Sequence, residues 1–336
     1  MLTIWDKKMS IEKELERGLK LQSGDILILE MPCVDSSEDE YFPVKIKQIQ
    51  PIHTMLWIKG NAHPVAHSVR AGFNLPGVRL TKLPSGNGQV FRYKDSSLMM
   101  EAANILRNWA LTTRYYSKED YLATYPPTFW LDRNKRDLLN FFSNEKAIVS
   151  GPSTPYLEPR ATYDLMDLAR DPTRLVMGDE GLRRAIKFAS RRNTMSPESF
   201  SKGQRCTATL VAAYQAAILA PIVKLGGKIT HPFKQYKGKA FEEYANDVLI
   251  EGWRDTEIGK KLLQARTDGD YVPLFTKAFA VDQRYVTPNF LYKAMNSSDE
   301  YTMVGQFSYF DKKLEMLVNP ELSGEKSINT DPAKCI

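Results

Sequence analysis

Gly203-Gln204-Arg205-Cys206-Thr207-Ala208-Thr209-Leu210-Val211-Ala212-Ala213-Tyr214 starts as a polar loop and runs into an apolar, Ala-rich helix, read as about 206–219. A cysteine stands at the helix start. The free backbone N–H groups and positive dipole end found there favour a thiolate over a thiol. Arg205 acts in the same direction. The competing structural reading is a small apolar cysteine opening a buried helix, since free cysteine is among the most buried residue types. The rest of the chain decides between them, because cysteine catalysis also needs a base and a group that orients the base.

Working outward, the bulk composition narrows the classes. The chain has 336 residues, 43% hydrophobic and 26% charged, which suits a soluble globular protein of two domains or one decorated domain. The net charge of +6 is a mild excess and favours anionic partners only weakly. Three cysteines, Cys33, Cys206 and Cys335, are too few and too scattered for a disulfide framework, and a reducing compartment follows. The four histidines do not fall at zinc-ligand spacing with the cysteines. No metal or cofactor is expected. The N-terminus has no apolar signal core, and no run of about 18 apolar residues spans a membrane. These features point to a cytoplasmic protein, or to one exported without a Sec signal, such as a translocated effector. P-loop, G-x-G-x-x-G, G-x-S-x-G and H-E-x-x-H motifs are absent.

The chain before the cysteine reads as one helix followed by a sheet. Residues 9–21 carry Ile11, Leu15 and Leu19 on one helical face. After the turn Gln22-Ser23-Gly24-Asp25, the run Ile26-Leu27-Ile28-Leu29 suits a strand buried on both faces. Short strands follow around Val44–Ile46, Ile52–Ile58, Val65–Val69, Gly77–Leu80 and Gln89–Tyr93, with Pro84–Gly88 read as a turn. Their Gly, Asn and Pro punctuation predicts a curled antiparallel sheet. At Ser96 the period becomes helical, with Ser96 or Ser97 as the cap and apolar residues through Ala110. Short helices are expected at Lys135–Phe142, Tyr163–Ala169 and Asp179–Ser190. Phe241, Tyr244, Ala245, Val248 and Leu249 mark another helix, and Thr287-Pro288 turns into a short one. Val304–Phe310 and Lys313–Val318 predict a final hairpin.

Two histidines sit on neighbouring strands. His53 lies near the start of one strand, and His67 lies on the next. Antiparallel strands joined by a turn can place these imidazoles side by side. His53 would then pair with Cys206, and His67 would share a hydrogen bond with the far nitrogen of His53, as in a cysteine–histidine–polar triad.

Taken in order, Ser23-Gly24-Asp25-Ile26, His53-Thr54-Met55-Leu56-Trp57-Ile58, Val65-Ala66-His67-Ser68 and then the cysteine helix resemble the papain-like NlpC-type superfamily. The cysteine helix follows the sheet, as in its circularly permuted branch, which includes YiiX-like proteins and is related to lecithin retinol acyltransferase. Gly77–Leu80, Val90–Tyr93 and Val286-Thr287-Pro288-Asn289-Phe290-Leu291 resemble later elements of that branch. The matching stretches are 20–116, 200–220 and 284–310. Thr207 replaces a common Ser, and His67 stands where permuted members often carry an acid.

The resemblance implies an α+β papain-like fold: a curled antiparallel sheet packed on the cysteine helix, with large helical insertions. Residues 1–116 would form its N-terminal helix and sheet, 117–200 a helical insertion, and 201–320 the cysteine helix and C-terminal part, itself interrupted at about 222–285. Residues 321–336 would be a mobile tail. The implied activity is a thiol hydrolase (amidase or peptidase, or acyltransferase) with catalytic Cys206, His53 and His67 and a thioester intermediate. The expected substrate is a peptide-type amide, with a lipid acyl ester at a membrane surface, or an inactive binding module, as alternatives. Tyr115, Tyr116 and Gln204 are candidate oxyanion donors. Arg183, Lys187 and Arg191 form one helical stripe that could meet an anionic membrane surface. A solvated basic face is the plainer reading of that stripe, and no nucleic-acid partner is expected.

Overall fold

The computed structural model describes residues 11–30, 51–69, 77–112, 115–116, 149–150, 177–193, 206–225, 240–267, 274–283, 286–311 and 313–319. Among these, the protein is a mixed α+β structure with seven α-helices and a seven-stranded antiparallel sheet that does not close on itself. The strands are β1 (Ile26–Glu30), β2 (Pro51–Trp57), β3 (Val65–Val69), β4 (Gly77–Thr81) and β5 (Gly86–Tyr93), a short pair β6 (Tyr115–Tyr116) and β7 (Val149–Ser150), then β8 (Tyr301–Phe310) and β9 (Lys313–Val318). The large sheet runs β4-β3-β2-β1-β5-β8-β9, and β6 pairs with β7 separately. The helices are α1 (Ile11–Gly18), α2 (Ser96–Thr112), α3 (Asp179–Ser190), α4 (Cys206–Leu219), α5 (Phe241–Val248), α6 (Glu257–Thr267) and α7 (Pro288–Asn296).

Alternation along the strands feeds two cores. Leu27, Leu29, Met55, Trp57, Val65 and Val90 pack with Leu15 and Leu19 of α1 on one face. Ile26, Ile28, Leu56, Ala66, Val78 and Phe91 pack on the other against α2, α3 and α4. Strand β1 is therefore buried on both faces, as its unbroken apolar run predicts. Helix α4 is apolar almost all round and is enclosed by α2, α3, β2 and β3.

Gly24 and Asp25 tie the helical layer to the sheet. Gly24 has φ +96°, and an added Cβ would lie 2.4 Å from the Met99 carbonyl oxygen of α2. Its own carbonyl accepts from Tyr214 of α4 at 2.6 Å. Asp25 is fully buried and takes two bonds from Arg92, Nε to Oδ1 at 2.8 Å and Nη2 to Oδ2 at 2.7 Å. The Gln22 N–H adds a third at 2.7 Å. Burial nonetheless pushes the Asp25 carboxyl above its ordinary value.

Several sequence expectations need adjusting. The first helix ends at Gly18, and Lys20 turns the chain with φ 51°. Strand β5 begins at Gly86, inside the stretch read as a turn, because Asn87 and Gly88 pair on both sides with β1 and β8. The cap of α2 is Asp95, whose Oδ1 accepts from the Leu98 N–H at 3.0 Å, in place of Ser96 or Ser97. Helix α6 carried no legible signal. Thr287 does cap α7, accepting from the Phe290 N–H at 3.1 Å. The expected strand at Val44–Ile46, the helices at 135–142 and 163–169, and the tail 321–336 lie outside the described residues.

The basic stripe of α3 turns inward. Arg183 and Lys187 are 9% and 5% exposed, and Arg191 is half-buried. The Arg183 guanidinium stands over the Phe241 and Tyr244 rings, and the neighbouring Arg184 pairs with Asp282 at 2.8 Å. The stripe is therefore packed against the protein and is not the solvated basic face that its periodicity suggested. Among the described residues no helix is long and apolar enough to cross a membrane.

Candidate active site

The site forms where β2 and β3 part. Their ladder contains Leu56↔Ala66 and Trp57↔Val65. The backbone groups of Trp57 face β1, since its N–H donates to Asp25 and its carbonyl accepts from Gly24. The Ile58 N–H faces the other way and donates to Pro64. By the same alternation the Thr54 N–H points to the β3 side, beyond the last paired residues. From there it helps hold the Cys206 thiol down.

Cys206 is the first residue of α4 and is half-buried. The Thr54 hydroxyl donates to Thr207 Oγ1 at 3.2 Å, and Thr207 Oγ1 lies 3.8 Å from Cys206 Sγ. Threonine at 207 therefore keeps a hydroxyl beside the sulfur.

The two histidines meet as their spacing suggested. At the β2–β3 register, His67 lies diagonal to His53 on the same face. Their rings stand edge to face, centroids 4.9 Å apart, with His53 Nε2 and His67 Nδ1 separated by 2.6 Å. His67 Nε2 lies 2.8 Å from Thr81 Oγ1, and the Thr81 hydroxyl donates to the Lys82 carbonyl at 2.9 Å. With its proton turned to that carbonyl, Thr81 accepts from His67 Nε2–H, the assignment that also leaves His67 able to accept from His53. His67 is then unprotonated at Nδ1 and accepts from His53 Nε2–H. This leaves His53 Nδ1 for Cys206, with which His53 shares a hydrogen bond.

The electrostatics agree with that order. Burial raises the Cys206 thiol, but the adjacent His53 charge and hydrogen bond, the Thr54 N–H and the Thr207 hydroxyl bring it down to about 6. Burial lowers His53, yet the negative sulfur beside it leaves its pKa raised. His67 falls well below the ordinary histidine value, through burial and then the charge on His53. A thiolate–imidazolium pair backed by a neutral imidazole results.

Cys206, His53 and His67 therefore come together, as the sequence suggested. Gln204 and the side chains of Tyr115 and Tyr116 lie outside the described part of the structure, as do Cys33 and Cys335. Thr54 and Thr81 were missed: threonine is common in strands, and only their neighbours across the sheet distinguish these two. Thr207, on α4, stood out in the sequence only as a replacement for serine. Comparison with family models, curated proteins and solved structures returns no match.

Proposed function

We propose that this chain is a cysteine-dependent amide hydrolase of the papain-like, permuted NlpC type, acting through Cys206, His53 and His67. The observation that carries the reading is the chain of contacts from the helix-start thiol through His53 to His67 and Thr81. Each atom in it has one consistent protonation state.

In this mechanism the Cys206 thiolate attacks the scissile carbonyl and forms a C–S bond. The carbonyl electron pair moves onto oxygen, where the Cys206 backbone N–H at the start of α4 can stabilise it. Collapse breaks the C–N bond, and the leaving amine takes the proton from His53 Nδ1. A thioester remains. Neutral His53 then removes a proton from water, which attacks the thioester, and the thiolate and imidazolium are restored. His67 holds the His53 ring through Nε2–H, and the charge on His53 never has to pass to it. Acyl transfer to another acceptor would share the first half-reaction.

Iodoacetamide labelling followed by mass spectrometry tests the reading. Cys206 should label at neutral pH far faster than Cys33 or Cys335, and His53→Ala should abolish the difference. Equal labelling of the three thiols with no effect of His53→Ala would leave a non-catalytic module on the same fold. A stable acyl adduct that turns over only when an amine or alcohol acceptor is added would identify a transferase instead.

A further inference from the structure

A second polar group lies on the same sheet, one strand from the thiol. Glu30 ends β1 and is only 9% exposed. The β1–β2 register shifts between Leu29 and Glu30, so that Leu29 pairs with His53 but Glu30 pairs with Pro51. Bulges of this kind re-aim side chains beside active sites. On the other side, Ile28 pairs with Gln89 and Glu30 with Asn87, without a shift. Glu30 and Gln89 therefore share the Ile28 face, which is the face that α4 and α7 cover. Gln89 hydrogen-bonds the Glu30 carboxyl and reaches the Tyr292 hydroxyl of α7 at 3.4 Å. Glu30 Oε1 meets no donor among the described residues, and no described cation pairs with the carboxyl.

Burial pushes the Glu30 carboxyl up to about 7, so near neutral pH it rests partly as the neutral acid, and a cation brought beside it would favour its charged form. Thr54 pairs directly with Ile28, so Glu30 is its diagonal neighbour, at about 7–8 Å along the diagonal and somewhat less between Cβ atoms. Thr54 is the residue whose N–H helps hold the Cys206 thiol down.

We infer that Glu30, seated by Gln89 and Tyr292, is a substrate-recognition residue that takes a primary ammonium group of the substrate, about two extended residues from the scissile carbonyl. The spacing follows from roughly 3.3–3.6 Å per extended residue against the Glu30–Thr54 separation. The inference rests on the proposed nucleophile and adds the substrate class: a peptide-type amide with a free amine, from a lysine-like side chain or a chain N-terminus.

The test uses chloroacetamides carrying a terminal ammonium on tethers of two, four and six carbons, each with its N-acetylated twin. The readout is the ratio of Cys206 alkylation rates within each pair, which cancels the intrinsic reactivity of the thiol. The best-fitting ammonium probe should react about tenfold faster than its twin, the worth of one charge-assisted contact. Glu30→Gln, which keeps the side chain's shape, should bring the ratio to about one, and Glu30→Asp should move the optimum to a longer tether. A ratio near one for every wild-type pair, or one that Glu30→Gln leaves unchanged, overturns the assignment. The iodoacetamide rate of Cys206 is read in parallel and reports on the nucleophile separately. A slow thiol would still report the ratio.

Discussion

Helix α4 and strand β2 each have one closed end and one open end. At the closed end, Tyr214 donates to Gly24, Trp57 exchanges backbone bonds with Gly24 and Asp25, and Arg92 grips Asp25 with two nitrogens. At the open end, roughly 12 Å along α4 by helical rise, Cys206 meets a strand whose ladder has parted, and Glu30 keeps an oxygen without a donor among the described residues. The closed end neutralises its buried charge within the protein. The open end brings together a thiolate–imidazolium pair, a neutral imidazole and a carboxyl that no described cation neutralises. One end fixes where the helix lies. The other uses that placement.

Breaking the closed end should give the largest effect. Arg92→Leu leaves Asp25 buried with only the Gln22 N–H and should cost roughly 3 kcal/mol of stability in chemical denaturation. Unchanged stability would mean that the pair is not a clamp. At the open end, His53→Ala removes the main influence holding Cys206 near 6, and the thiol should return toward 9.0. At pH 7 the thiolate fraction then falls by about a hundredfold, seen as slower iodoacetamide labelling, with little loss of stability. In the wild-type protein the labelling rate should be flat above about pH 7 and fall as pH drops through 6, because protonation removes the nucleophile.

Thr81→Val tests the tautomer order more finely. With no acceptor at His67 Nε2, the proton can settle on Nδ1 and face the Nε2–H of His53. A loss of about tenfold in Cys206 reactivity is expected, with changed imidazole nitrogen shifts by NMR. Thr81→Ser should restore both. A packing role alone would leave the nitrogen shifts in place. The smallest effect belongs to Tyr214→Phe, which removes one buried bond at the closed end and should cost about 1 kcal/mol while leaving labelling unchanged.

Much of this arrangement was legible in the residues. The apolar run of β1, the helical period of α2, the limits of α3 and α4 and the final hairpin all follow from local pattern. So did the three residues at the site, because cysteine and histidine are rare enough to be noticed singly. The supporting threonines of the sheet, Thr54 and Thr81, were not legible, since their residue type is ordinary and their role comes only from what lies across the strands. The start of β5 was misread because glycines suited to a turn also permit close strand packing: at Gly88 a Cβ would lie 2.6 Å from the Phe307 ring. The stripe on α3 was misjudged because periodicity places side chains on one face without saying whether that face meets water or protein.

By itself the sequence determined the secondary elements, the helix-start cysteine and the histidines on successive strands, all set by short-range periodicity and by the chemistry of single residues. The tertiary structure decided the rest. It alone parted β2 from β3, brought the Thr54 N–H toward the sulfur, ordered the imidazole protons through Thr81 and set Glu30 on the next strand with no described cation beside it. These features depend on hydrogen-bond direction and burial between segments distant in the chain, and no local pattern encodes either.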